Sequence, residues 1–112
     1  MTRRSLSLLF VALLGCAPAL PTPPSGEHVG ETPVLVPFPP PPARADIVPD
    51  MPKAMKKPVW VDGQWMWHAT RWVWEPGQWV DLPPKQIYAR PTIVRLSDGK
   101  LHWFAGAFHD TP

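Results

Sequence analysis

Trp60-Val61-Asp62-Gly63-Gln64-Trp65-Met66-Trp67-His68-Ala69-Thr70-Arg71-Trp72-Val73-Trp74-Glu75-Pro76-Gly77-Gln78-Trp79 is the stretch that decides how this chain folds. Six of the seven tryptophans fall inside it. The pattern W-x-x-G-Q-W occurs twice, at Trp60–Trp65 and again 14 residues on at Trp74–Trp79. A degenerate copy follows as Trp103-Phe104-Ala105-Gly106-Ala107-Phe108, with Gly106 in the place of Gly63 and Gly77. Two close copies in so short a chain mark a true internal repeat, each unit needing its neighbour to bury its apolar face. Tyr88 falls 14 residues after Trp74, as a decayed repeat start or by coincidence.

Turn chemistry suggests how the repeats are joined. Asp62-Gly63 is a two-residue hairpin signal of the type that needs φ > 0. Pro76-Gly77 suits a type II turn, with proline presetting φ and glycine in the positive-φ place. On that reading Trp60 stands opposite Trp65 and Trp74 opposite Trp79. A four-residue loop at His68–Arg71 sets Trp67 opposite Trp72. Strand side chains alternate between faces. Trp60, Trp65, Trp67, Trp72, Trp74 and Trp79 therefore share one face of a small antiparallel meander. A further hairpin is expected from Thr92–Leu96 and Leu101–Phe104, turning at Ser97–Lys100, with Leu96 facing Leu101 and Val94 facing Trp103. The expected fold class is all-β, in a module spanning 59–112.

Upstream the composition changes. From Ala17 to Pro58 there are 13 prolines in 42 residues, densest at Pro37 to Pro42. Proline fixes φ and removes a backbone donor, so neither helix nor central strand is expected. Val34-Leu35-Val36 is too short to nucleate a core. The 16–58 segment reads as a disordered, extended linker, a stiff spacer at about 3.1 Å per residue. Its alternative use is as a polyproline ligand for an aromatic groove.

At the N-terminus, Arg3 and Arg4 precede an apolar run, Leu6 to Leu14. That run is far below the roughly 20 residues that span a bilayer and suits a signal-peptide core. The only cysteine follows directly, in Leu13-Leu14-Gly15-Cys16. This string resembles a bacterial lipobox, although Leu14 stands where a small or β-branched residue is more usual. The resemblance implies that 1–15 is a signal peptide removed on export and that Cys16 is lipidated. Two or more acyl chains anchor a protein stably where one does not. Ala17, rather than Asp, after the cysteine implies an outer-membrane, lipid-anchored location in the cell envelope. Thr2-Arg3-Arg4-Ser5-Leu6 also faintly resembles a twin-arginine signal, but the short n-region favours the general secretory route.

The repeats resemble the bacterial YXWXXGXW family of secreted proteins and lipoproteins. The second aromatic, the glycine and the closing tryptophan are shared. The leading tyrosine is replaced here by Pro58, Trp72 and Leu101. The resemblance implies a fold and a location and brings no catalytic residues, because the family has no established activity.

Charge and chemistry exclude several functions. The whole chain carries 11 Lys and Arg against 9 Asp and Glu. With Arg3 and Arg4 lost in the signal peptide, nine bases face nine acids, so the net charge is zero. No basic surface suits a nucleic-acid partner. The remaining partners are membrane lipid through acylated Cys16 and, on the module, cell-wall glycan or another envelope protein. No intrachain disulfide is possible with one cysteine. His68, His102 and His109 lack metal-type spacing, so neither metal nor other cofactor is expected. Asp62, Asp81, Asp98 and Asp110 sit beside expected turns, where aspartate is favoured structurally, and no nucleophile–base or carboxylate pair emerges. No enzyme is expected. A structural or protein-interaction role is the first reading. The alternative is a carbohydrate- or peptidoglycan-binding face built from the indoles, with Asp62, Gln64 or Gln78 reading hydroxyls.

Overall fold

The structure is a computed structural model, and it describes residues 19–112. The lipobox, Cys16 and Ala17 lie outside the described residues. Among the described residues there are nine strands and no helix, so none is long and apolar enough to cross a membrane. The strands are β1 (Val34–Val36), β2 (Pro58–Val61), β3 (Gln64–His68), β4 (Arg71–Glu75), β5 (Gln78–Asp81), β6 (Gln86–Ala89), β7 (Thr92–Arg95), β8 (Leu101–Phe104) and β9 (Ala107–Asp110). Every named strand pair is antiparallel, as the all-β reading expects.

The pairing differs from a meander. β3 pairs with β4, setting Trp67 opposite Trp72 as expected and also Trp65 opposite Trp74. β2 pairs with β5, setting Trp60 opposite Trp79. Val61 faces Gln78 on one side of the gap, and Gln64 faces Glu75 on the other. Two residues intervene on each arm, Asp62-Gly63 and Pro76-Gly77, so the register is unbroken. The stretch from Pro58 to Asp81 is thus one long hairpin with a matched interruption in both arms. The two W-x-x-G-Q-W copies are its opposed arms rather than successive hairpins.

The glycines show why. Neither Gly63 nor Gly77 has a positive φ, unlike Gly30 and Gly99. A Cβ at Gly77 would meet Trp60 Cζ2 at 2.5 Å and the Val61 carbonyl at 2.8 Å. A Cβ at Gly63 would run into Trp74 and, at 2.8 Å, the Glu75 carbonyl. The leading tryptophan of each arm therefore lies across the glycine of the other. Glycine is needed for close approach, and the hairpin turns read from Asp62-Gly63 and Pro76-Gly77 do not form. The real turn is shorter than expected. His68 pairs with Arg71, leaving a two-residue loop in which Ala69 adopts φ 55°.

The second half repeats the plan. β6 pairs with β9 and β7 with β8, again in one register across a gap, Arg90-Pro91 facing Ala105-Gly106. Tyr88 stands opposite Phe108 and its phenol occupies the space over Gly106, as Trp60 does over Gly77. Tyr88 is thus the structural counterpart of a repeat start. The register at the tip differs by one from the expected one, with Ile93 opposite Trp103 and Arg95 opposite Leu101. Leu96 closes a three-residue loop with Lys100, and Gly99 takes φ 76°. An odd-length loop of this kind is a common hairpin solution, and a one-residue slip exchanges the faces of the strand.

The proline-rich segment is irregular, as its composition requires, but it does not serve as a free spacer. Val34–Val36 adds to the edge of β8, giving the order β1-β8-β7, with Val36 buried. Three residues cannot nucleate a core, but they can extend an edge already formed. From Phe38 to Pro49 the chain runs down the tryptophan face of the first hairpin. It receives indole N–H donors from Trp72 to the Phe38 carbonyl (3.1 Å), Trp65 to the Pro42 carbonyl (3.1 Å), Trp74 to Asp46 (3.2 Å) and Trp79 to the Pro49 carbonyl (2.8 Å). Proline-rich backbone has unpaired carbonyls and indole N–H groups are donors in search of acceptors; each supplies the other's want. The division at residue 58 is therefore no boundary of packing. The polyproline-in-aromatic-groove reading is realised within one chain.

The buried core runs through the junction of these parts: Val36, Val59, Trp60, Val61, Leu82, Tyr88, Ala89 and Trp103.

Candidate binding cleft

The indoles stack edge to face in three tiers. Ring centroids are 5.5 Å apart for Trp60–Trp79, 5.3 Å for Trp65–Trp74 and 5.2 Å for Trp67–Trp72. Such pairs are worth about 0.5–1.5 kcal/mol each beyond area burial. The first tier is held at the base, where Trp60 is 3 % exposed and donates its indole N–H to Asp62 at 3.0 Å. The strap covers the others: Phe38 meets Trp67 edge-on at 5.4 Å, and the Arg44 guanidinium lies 4.8 Å over Trp65. The six tryptophans read from sequence as a ligand face are thus brought together on one face, and most of that face is packed under the chain's own strap. Trp103, 7 % exposed, joins the hairpins by an edge-on contact with Trp72 at 5.5 Å.

Asp46 is the residue that sequence reading missed. Its carboxylate accepts both the Trp74 indole N–H and the backbone N–H of Gly77, at 3.0 Å. It ties the strap to the interruption in the ribbon. Nothing local marks it, because its partners lie 28 and 31 residues away. Lower down, Asp81 receives the backbone N–H groups of Lys57 (2.8 Å) and Lys56 (3.2 Å), which fix the turn from strap into β2. These bonds, Lys57 first, hold the Asp81 carboxyl below its ordinary pKa.

Where the strap, the two hairpins and the 22–25 segment meet, a cleft of about 390 Å³ remains open. Its apolar walls are Trp60, Trp65, Trp74, Ile93, Trp103 and prolines 40 and 41. Its polar groups are Asp62, Gln64, Tyr88 and Arg90. Gln64 is partly committed, its Oε1 accepting the Gly106 N–H at 3.0 Å. The Tyr88 hydroxyl is buried without a hydrogen-bond partner. Burial raises the Tyr88 pKa, followed by the nearby charges of Glu75 and Asp62, so the phenol stays a neutral donor. The volume and the mixture of aromatic walls with a few polar groups are those of a small-ligand site. Of the predicted residues, Trp60, Trp65, Trp74, Asp62, Gln64 and Gly63 line it, while Trp67, Trp72, Trp79 and Gln78 do not. Tyr88, Arg90 and Trp103 come from the second hairpin and could be placed there only by the docking of the two ribbons.

Comparison with known proteins finds no matching family model, no matching curated protein and no matching solved structure.

Proposed function

We propose that this chain is a lipid-anchored, non-catalytic lipoprotein of the bacterial envelope, held in the outer membrane through acylated Cys16, with a structural or protein-interaction role. The single observation that supports the non-catalytic module is the use of the tryptophan face itself. Four of its six indole N–H groups are spent on Phe38, Pro42, Asp46 and Pro49 of the same chain, and Trp60's is spent on Asp62. A surface closed in this way acts as internal packing. Apolar side chains are turned outward instead on the strap and the edge strand, including Val34, Leu35, Phe38 and Ile47, the last 96 % exposed. A protein partner would meet these first. Intact mass of the protein purified from its host's membranes tests the anchor. A species starting at Cys16 with added acyl mass is expected; an unmodified chain starting at Ala17 or later refutes it.

One specific observation favours a second reading, binding of cell-wall glycan. It is confined to the cleft, where Trp60, Trp65 and Trp74 stand beside Asp62, Gln64 and Arg90. An indole wall can stack on a sugar ring, and the polar groups can meet its hydroxyls. Titration with soluble peptidoglycan fragments, followed by intrinsic fluorescence, distinguishes the readings. A saturable spectral shift lost in Arg90→Ala and Gln64→Ala favours the glycan. No shift leaves the structural role.

A further inference from the structure

A second cluster lies away from the cleft, where the N-terminal segment crosses the last strand. His28 and Glu31 approach His109 of β9, and one ligand-type atom from each lies within 4.8 Å of the others. The three side chains are largely shielded from solvent, between 14 and 21 % exposed. His28 Nε2 contacts the Arg90 carbonyl at 2.6 Å. A carbonyl only accepts, so Nε2 is the donor in this contact. His28 Nδ1 is in hydrogen-bond contact with Glu31 Oε2. The other carboxylate oxygen, Oε1, faces His109 Nε2, yet both atoms are buried and neither makes a hydrogen bond of proper geometry. Three metal-type ligands thus converge, and two of the facing atoms, Glu31 Oε1 and His109 Nε2, are buried without a hydrogen-bond partner.

We infer that His28, Glu31 and His109 form a binding site for a divalent transition cation of the zinc type. Two imidazoles and one carboxylate are a zinc donor set, at about 2.0–2.2 Å from the ion, with a fourth position left to water. Magnesium and calcium prefer all-oxygen surroundings. The Arg90 carbonyl supplies the outer-shell bond that metal-binding histidines usually make through their second nitrogen, fixing the tautomer. The Phe104 ring, 5.1 Å from the His28 ring, closes one side. The ion would staple the N-terminal segment to the closing strand of the second hairpin, a join otherwise made by Ser25 and Gly26 against Tyr88. The spacing His28-x-x-Glu31, which sequence reading passed over, is the one local signal of this site. It could not be completed without knowing that His109, far along the chain, lies beside it.

The test uses the full chain, stripped of metal by chelator and titrated with zinc chloride by calorimetry, with magnesium and calcium chloride in parallel. One saturable zinc ion per chain is expected, with Tm raised by several degrees because the ion binds only the folded arrangement. Magnesium and calcium should do neither. His28→Ala and His109→Ala should each weaken zinc binding by more than about tenfold, the scale that even outer-shell changes reach. Glu31→Gln keeps shape and polarity, so it should remain folded by circular dichroism and lose affinity to the same degree. His68→Ala and His102→Ala should bind as the parent. The inference is overturned if zinc shows no saturable binding, if His68→Ala or His102→Ala weakens it equally, or if folded Glu31→Gln binds like the parent.

Discussion

Replacing Gly77 by alanine probes the interlock of the two arms. The added methyl would sit 2.5 Å from Trp60 Cζ2, 2.8 Å from the Val61 carbonyl oxygen and 3.0 Å from the Gly63 nitrogen. Two of these three atoms are backbone and cannot swing aside. Expelling Trp60 instead would expose a ring that buries some 150–250 Å², which at about 25 cal/mol per Å² costs roughly 4–6 kcal/mol. The chain should accept overpacking, which costs about 1–3 kcal/mol, and the backbone contacts place Gly77→Ala at the upper end. Alanine returns about 0.5 kcal/mol by restricting the unfolded chain. The net expectation is about 2–3 kcal/mol, or a Tm lowered by roughly 10–20 °C for a domain of this size. Gly99→Ala is the comparison. Gly99 has open space around it but φ 76°, so only the left-handed penalty of about 1–2 kcal/mol applies, less the same entropic return. Urea unfolding read by tryptophan fluorescence gives both values. Near-ultraviolet circular dichroism should change for Gly77→Ala, because Trp60 moves against Trp79, and stay unchanged for Gly99→Ala. A Gly77→Ala cost below that of Gly99→Ala, or an unaltered aromatic spectrum, would refute the interlock.

Three further outcomes are expected. Asp46→Ala removes a charged acceptor from both Trp74 and Gly77, at about 2–4 kcal/mol by urea unfolding; emission should shift to the red as the strap lifts, and an unshifted spectrum would count against the strap. Ala69→Gly relieves a left-handed turn residue at φ 55° and should stabilise by about 0.5–1 kcal/mol in the same assay; a loss of stability would mean the turn is not strained. The lowered pKa of Asp81 comes from the Lys57 and Lys56 backbone N–H groups. A carboxylate depressed in the fold contributes stability above its unfolded pKa of about 3.9 and loses it as pH falls through the folded value. Thermal stability should therefore decline below about pH 4, and less steeply in Asp81→Asn; identical pH profiles would remove Asp81 from the account.

Much of the fold was legible because it is local. Alternating tryptophans announce strands, and the close spacing of Trp67 and Trp72 allows only a tight hairpin, which forms with these two residues opposed as read but with a shorter loop. All-β character and irregular proline-rich chain follow from side-chain periodicity and a missing backbone donor, properties that each residue carries with it. Asp62-Gly63 and Pro76-Gly77 misled because their local turn chemistry is good. The long ladder prevailed, since it keeps Trp60 over Gly77 and Trp74 over Gly63, two contacts that consecutive hairpins would forfeit.

The placement of the proline strap depended on the folded ribbon alone. Three of its carbonyls and the Asp46 carboxylate meet indole N–H groups aligned in a row, and that row exists only once the tiers have stacked. The cleft and the His28, Glu31 and His109 cluster arise in the same way, from residues brought together by docking of separate segments. The sequence by itself determined the tryptophan-bearing strands and the Trp67–Trp72 hairpin, because these are short-range matters of period and spacing. The tertiary structure decided which arms pair, what covers the tryptophans and which polar side chains meet, because those rest on contacts whose partners lie tens of residues apart.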